Sequence, residues 1–334
     1  MWHVGIDLHR EFVVMAAVRD NGEIMEPVKI ACRETEAIAE VARSLVPFRA
    51  VIEASGTYRW LYDLLRPHGT VLLAHPLRLR AMIQRRSKTD KLDSQLLANL
   101  LRINQIPLAY IPPEPYQRLR DLVRCRARMG RELAQAKIRL RALLARQNRQ
   151  APFRMPFGVR GLAWFRNQDF GPIENLTRDE LLARMKHFGR HISIFDQHLA
   201  AMANEFPQTE SLLDIHGIAL FSALLIVAEL GEVERFRTAK QVGAYGGLTS
   251  RVHQSGGHCY QGPITRQGSP WLRWILVQAA MKATRDDVAL KRFYTRLRKR
   301  SGAKKARVAV ARKLAEICWK RLRHWHRARA EQAA

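Results

Sequence analysis

Short apolar runs and amphipathic stretches alternate along the first hundred residues. Runs at 2–8, 12–18, 24–30, 50–54 and 70–75 have strand length and composition, and helical patterns beginning near Thr35 and Thr57 separate the last three. Asp20-Asn21-Gly22 supplies a turn between the second and third runs, so the opening reads as an antiparallel meander. No Gly-x-Gly-x-x-Gly follows the first strand, which argues against a dinucleotide-binding fold. The period then changes. Leu119, Leu122, Met129, Leu133, Ala136, Leu140 and Leu143 recur at helical steps, broken only by Arg126. A second seam runs through Leu181, Met185, Phe188, Ile192, Phe195, Leu199, Met202 and Phe206 until Pro207 stops it. Such seams pair as an antiparallel hairpin, join another subunit, or lie as amphipathic helices on one core. Beyond residue 210, Leu213-Asp214-Ile215-His216-Gly217-Ile218 leads into an apolar helix like half of a helix-hairpin-helix, whose turn offers N–H groups to phosphate. A Gly-rich stretch at 243–268 and further helices complete the chain.

Three strands followed by helix, strand, helix, strand and helix is the order of the ribonuclease H architecture. The expected fold class is therefore α/β at residues 1–105, a basic helical coiled-coil arm and linker at 106–209, and a mainly α-helical domain at 210–334. Charge sharpens this picture. The 334 residues carry 57 Lys and Arg against 30 Asp and Glu, a formal +27 that points to a polyanionic partner, nucleic acid before membrane. Residues 116–150 hold eleven basic and two acidic residues, and 291–329 hold sixteen basic residues with Glu316 as the single acid. With no signal peptide and no apolar run long enough to span a bilayer, a cytoplasmic protein is expected. The four cysteines form no Cys-x-x-Cys pair, so neither a disulfide framework nor a thiolate zinc site is suggested.

Against such a cation surplus, acids at strand ends need an explanation. Asp7 closes the first strand and Glu53 the fourth, and these strands are neighbours in a meander-first sheet. Asp90 and Asp93, at i and i+3, share a face of the next helix, which Ser87 is placed to cap. Two carboxylates at ~4 Å repel by roughly 4 kcal/mol at an effective dielectric near 20, so a cation is expected between them. Mg²⁺, with Mn²⁺ as its alternative, takes oxygen ligands and leaves positions for phosphate oxygens.

Asp7, Glu53 in Glu53-Ala54-Ser55-Gly56-Thr57-Tyr58, and Lys88-Thr89-Asp90-Lys91-Leu92-Asp93 resemble the D-E-D-D motif of the insertion-sequence one-ten family of bacterial transposases. The likeness continues through Gly246-Gly247-Leu248-Thr249, Ser255-Gly256, Thr265-Arg266-Gln267-Gly268 and Leu272-Arg273. It implies a RuvC-like N-terminal domain and a DNA recombinase in which Ser255 attacks a DNA phosphate to form a covalent phosphoserine link, with the acidic quartet holding metal. It also implies a structured bridge RNA that pairs with donor and target DNA, and dimers that assemble into tetramers.

A serine hydroxyl needs a base, a metal or electrostatic help, and metal assistance is the simpler account, since His253 and His258 have no spacing that proves a dyad. Because Ser255 lies far along the chain from Asp90, the expected site is composite, in one subunit or across two. Gly256 and Gly257 permit close backbone approach to DNA. Arg251, Arg266 and Arg273 are candidate phosphate clamps, and Lys304, Lys305 and Arg307 belong to the basic C-terminal helices. Two alternatives stand beside this reading: a metal-only junction resolvase-like nuclease using water, and a non-catalytic nucleic-acid scaffold.

Overall fold

A computed structural model describes residues 1–82, 90–255 and 258–333, and the chain divides into two compact units, Met1–Ile111 and Pro112–Ala334.

The first unit is built on a six-stranded sheet ordered β3-β2-β1-β4-β5-β6. Its strands are β1 (Trp2–Leu8), β2 (Phe12–Arg19), β3 (Ile24–Ala31), β4 (Phe48–Glu53), β5 (Thr70–Ala74) and a two-residue β6 (Leu108–Ala109). The meander β1–β2–β3 is antiparallel, and β4 and β5 then run parallel to β1. This is the order expected from the sequence, with β6 added; a two-residue strand leaves no periodic signal. The register of β2 on β3 shifts between Met15 and Ala17, opposite the stretch where Pro27 has no N–H to give the ladder.

Helices cover both faces, as the burial of consecutive residues in β1 and β4 requires. On one face Val4, Ile6, Ala50 and Ile52 pack with Ile38 and Ala42 of α1 (Thr35–Ser44) and Leu61 and Leu65 of α2 (Arg59–Leu65). On the other, Val51 and Ala74 pack with Leu79 of α3 (Pro76–Met82) and with Leu97 and Leu101 of α4 (Asp90–Arg102). Gly5 lets α4 approach: a Cβ there would overlap Ser94 O and Ala98 N and lie 2.9 Å from Leu97 Cβ.

The second unit is helical apart from one hairpin. A long α5 (Glu114–Arg146) is followed by α6 (Val159–Arg166) and a long α7 (Pro172–Met202). The end of α5 packs with the start of α7 through Leu140, Leu143, Leu181 and Met185, and Leu119 and Val123 share a core with Leu199 and Phe206, so the two helices are antiparallel within one chain. Arg126, the break in the first seam, forms a bidentate pair with Asp196 of α7 at 2.9 and 3.1 Å. The seam itself shifts: Val123 and Ala127 are fully buried where Leu122 and Met129 are only partly so, because this half of α5 also packs against α8 (Leu220–Leu230).

The remaining elements are α9 (Ala239–Tyr245), the hairpin β7 (Ser250–Ser255) and β8 (His258–Ile264), α10 (Pro270–Asp286), and α11 (Val288–Ala333), which kinks at Gly302. The segment expected to resemble half of a helix-hairpin-helix, 213–218, leads into α8. A 3₁₀ turn, Pro207–Leu212, precedes α8, and Gly217 (φ +85°) is pressed on α10, where a Cβ would lie 2.6 Å from Ala279 O. The glycine there serves close helix packing.

Candidate metal centre and serine hairpin

The carboxylates meet because of how α4 crosses β1. Odd residues of β1 face α4, with Gly5 under Ser94 and Ala98. Asp7 lies two residues further, about 7 Å along the strand, and Asp90 lies one turn, about 6 Å, back along the helix. The two steps compensate, and both carboxylates arrive at the carboxyl end of β1. Open α/β sheets commonly bind ligands at such strand ends.

The third member of the group is one the sequence reasoning missed. His9 Nε2 lies 3.1 Å from Asp7 Oδ2 and 3.3 Å from Asp90 Oδ1. Among the described residues Asp7, His9 and Asp90 each offer a ligand atom within 4.8 Å of the others. A histidine in a strand-to-strand connection carries no periodic or motif signal, so only the fold could single it out.

Asp93 shares the first turn of α4 with Asp90, and its charge reaches Asp7. Burial, chiefly, holds the Asp7 carboxyl above the usual carboxylate range; His9 pulls it down, and the charges of Asp93 and Asp90 push it up again. Glu53 ends β4. Since Ile6 pairs with Ile52, Glu53 and Asp7 are each the next residue on adjacent parallel strands and belong to the same sheet face, although Glu53 is outside the tight three-residue group. Ser87, the expected helix cap, and Lys88 and Thr89 of the motif lie outside the described residues.

The donor set fits a divalent cation. A carboxyl such as that of Asp7, whose proton affinity burial and neighbouring acids raise, is stabilised when a cation replaces the proton, and two carboxylate oxygens with an imidazole nitrogen suit a six-coordinate ion that keeps waters. Asp7, Asp90 and His9 would hold it, with Asp93 and Glu53 adjoining. When bound, such an ion polarises a phosphoryl oxygen and lowers the proton affinity of a coordinated hydroxyl or water.

The predicted nucleophile belongs to the second unit. Ser255 is exposed at the end of β7, in register with His258, while Gly256 and Gly257 lie outside the described residues. The hairpin's base is closed by Thr265 N–H donating to Thr249 O at 2.8 Å. Beside that base Arg273 donates to Gly246 O at 3.0 Å, and burial together with the charge of Arg266 holds its guanidinium below its ordinary value. Gly247 (φ +63°) makes room: a Cβ there would come within 2.5 Å of Arg273 Nη1. Six residues separate Thr249, the partner of Thr265, from Ser255, about 20 Å of extended strand, so the base of the hairpin with Arg273 stands well away from the serine.

A second missed feature anchors this region. Glu229, fully buried in the otherwise apolar α8, takes a bidentate pair from Arg124 at 2.7 and 3.0 Å and a hydrogen bond from Ser269 Oγ at 2.8 Å. Ser269 Oγ in turn caps α10 by accepting from Leu272 N–H at 3.0 Å. A lone acid inside an apolar helix was the available signal.

Of the remaining basic candidates, Arg251, Lys304 and Lys305 are exposed and Arg307 is half-buried. Trp319 is core, donating to Val233 O at 3.2 Å. Among the described residues no helix is long and apolar enough to cross a membrane.

Comparison with known proteins agrees with this geometry. Residues 4–148 match the DEDD transposase family of IS110 elements, and residues 209–295 match the family described as Transposase IS116/IS110/IS902. A probable family 20 transposase of Pseudomonas aeruginosa is 26% identical over 95% of both chains. The transposase for insertion sequence element IS1111A of Coxiella burnetii is 21% identical over 95% of this chain and 88% of its own. The pilin gene-inverting protein of Moraxella bovis is 25% identical over 80% of this chain and 78% of its own. With the four acids inside the first match and the serine hairpin inside the second, this chain belongs to the IS110 family of transposases, enzymes that cut and join DNA.

Proposed function

We propose that this transposase exchanges DNA strands through a covalent phosphoserine intermediate, with Ser255 as nucleophile and a divalent ion, Mg²⁺ in the first instance, at Asp7, Glu53, Asp90 and Asp93. The observation that carries the reading is the convergence of Asp7 and Asp90 at the end of β1. The serine's part is supported by its exposure at a hairpin end and by the Ser255-Gly256 match to the family pattern. Ser255 Oγ attacks the phosphorus, the DNA 3′ oxygen leaves with a proton, and the strand stays linked to the protein until another hydroxyl displaces the serine. A relative named as inverting a pilin gene is consistent with conservative strand exchange.

The reading extends to a structured guide RNA and to dimers that assemble into tetramers in the bacterial cytoplasm. The net +27 and the exposed Lys304 and Lys305 support a protein that holds much nucleic acid. No specific feature favours the nuclease or scaffold alternatives.

The decisive experiment is trapping. Denaturing gels of the protein with its element-end DNA and transcribed flanking RNA show a protein–DNA adduct that Ser255→Ala abolishes together with cleavage; normal cleavage by Ser255→Ala overturns the assignment. Omitting the RNA abolishes cleavage if the guide is required. Neutralising Arg251, Arg266, Arg273, Lys304, Lys305 and Arg307 together lowers the slope of log affinity against log salt by roughly five, and an unchanged slope places them away from phosphates.

A further inference from the structure

We propose that His9 Nε2 is itself a ligand of the divalent ion, and that it gives the centre a preference for a transition ion such as Mn²⁺ over Mg²⁺. The proposal rests on the metal reading above and adds a nitrogen donor that the acidic quartet does not contain.

Three observations carry it. The 3.1 and 3.3 Å separations from Asp7 and Asp90 oxygens are close to the edge of an octahedron with ~2.1 Å bonds, about 3.0 Å, so the imidazole stands at the spacing of neighbouring ligands from an oxygen of each acid. The ring is also held in place. It stacks on Phe12 with centroids 4.5 Å apart and planes 28° apart, and Phe12 is in turn covered by Lys29 Nζ at 3.5 Å. The backbone carrying the ring is pinned as well: His9 N–H donates to Phe12 O at 2.9 Å, and Cys32 Sγ donates to His9 O at 3.6 Å. Finally, Asp7 is 18% exposed but His9 39% and Asp90 43%, so the donors form an open half-shell in which water or phosphate oxygens complete the coordination.

Donor chemistry sets the selectivity. Mg²⁺ takes oxygen ligands almost throughout, whereas imidazole favours first-row transition ions. A carboxylate-only centre discriminates weakly between Mg²⁺ and Mn²⁺; one with a fixed imidazole edge favours Mn²⁺.

The test uses pulsed electron paramagnetic resonance on the full-length protein loaded with one equivalent of Mn²⁺. Directly bound imidazole gives a ¹⁴N modulation that converts to the ¹⁵N pattern after ¹⁵N-histidine labelling. The expected result is that coupling in the parent, its loss in His9→Ala and His9→Gln with Mn²⁺ still bound, and a Mn²⁺ affinity lower by at least about tenfold in both variants while that for Mg²⁺ changes less. His9→Gln retains an N–H donor toward Asp7, so parent-like affinity in that variant reduces His9 to a hydrogen-bonding partner and overturns the proposal. Bound Mn²⁺ without nitrogen coupling, or with coupling that survives His9→Ala, overturns it while sparing the acidic centre. Absence of any Mn²⁺ binding that Asp7→Asn can diminish removes both.

Discussion

Both units draw acidic side chains out of solvent, but they treat them in opposite ways. In the second unit Glu229 is buried and satisfied: Arg124 neutralises it, Ser269 donates to it, and the group joins α5, α8 and α10. In the first unit Asp7 is partly buried beside Asp90 and Asp93, with His9 as the counterweight. A satisfied acid holds a fold together. An acid whose neighbours add to its difficulty is the kind that a bound cation relieves, and that separates a structural carboxylate from a candidate ligand without reference to either motif.

The contrast can be broken most directly at Asp7. Asp7→Asn is expected to abolish DNA cleavage yet leave the metal-free protein at least as heat-stable as the parent, because it removes a carboxylate the fold disfavours. A sharply lowered Tm would place Asp7 with Glu229 as a structural acid. At Glu229 the reverse is expected. Glu229→Ala leaves Arg124 without its buried partner and should cost about 3 kcal/mol in denaturant unfolding; a loss below about 1 kcal/mol would remove the contrast from the other side.

Gly5→Ala tests the packing that brings the acids together. The added methyl overlaps α4 backbone, so a destabilisation of about 1–3 kcal/mol should accompany weaker Mn²⁺ binding, measured by titration calorimetry. Unchanged metal affinity would mean that the approach of α4 does not set the site. The smallest effect is in pH. The Asp7 carboxyl binds its proton more tightly folded than unfolded, so its own contribution to the stability of the metal-free protein is fully present below the unfolded value near 4 and is lost as pH rises through the raised folded value. Thermal scans across this window should show the parent losing stability relative to Asp7→Asn as pH rises. Adding Mn²⁺ should offset the fall, since the ion binds the deprotonated form.

Much of this was legible in the chain. The meander followed by alternation was written in short apolar runs and in the turn at Asn21-Gly22, and it alone places Asp7 and Glu53 on neighbouring strands. The i, i+3 spacing of Asp90 and Asp93 fixes their shared face. Other signals were present and went unread: a glycine inside a strand, Gly5, indicates close backbone approach, and one acid within an apolar helix, Glu229, indicates a buried partner. The seam of α5 was misplaced toward Leu122 and Met129 because periodicity shows that a face is buried without showing how many neighbours share it; contact with both α7 and α8 moved the core to Val123 and Ala127.

Local order, then, was determined by sequence: which residues form strands, which acids end them, where helices stop, and how much positive charge is available for nucleic acid. The tertiary structure alone decided that α4 crosses β1 at Gly5, that His9 turns its ring toward Asp7 and Asp90, that Gly217 serves packing, and that Arg124 reaches Glu229. The physical reason is the same throughout. Hydrophobic period and turn chemistry act over a few residues and are written along the chain, whereas coordination, charge pairing and close backbone approach are set by side chains far apart in sequence whose proximity is created only by packing.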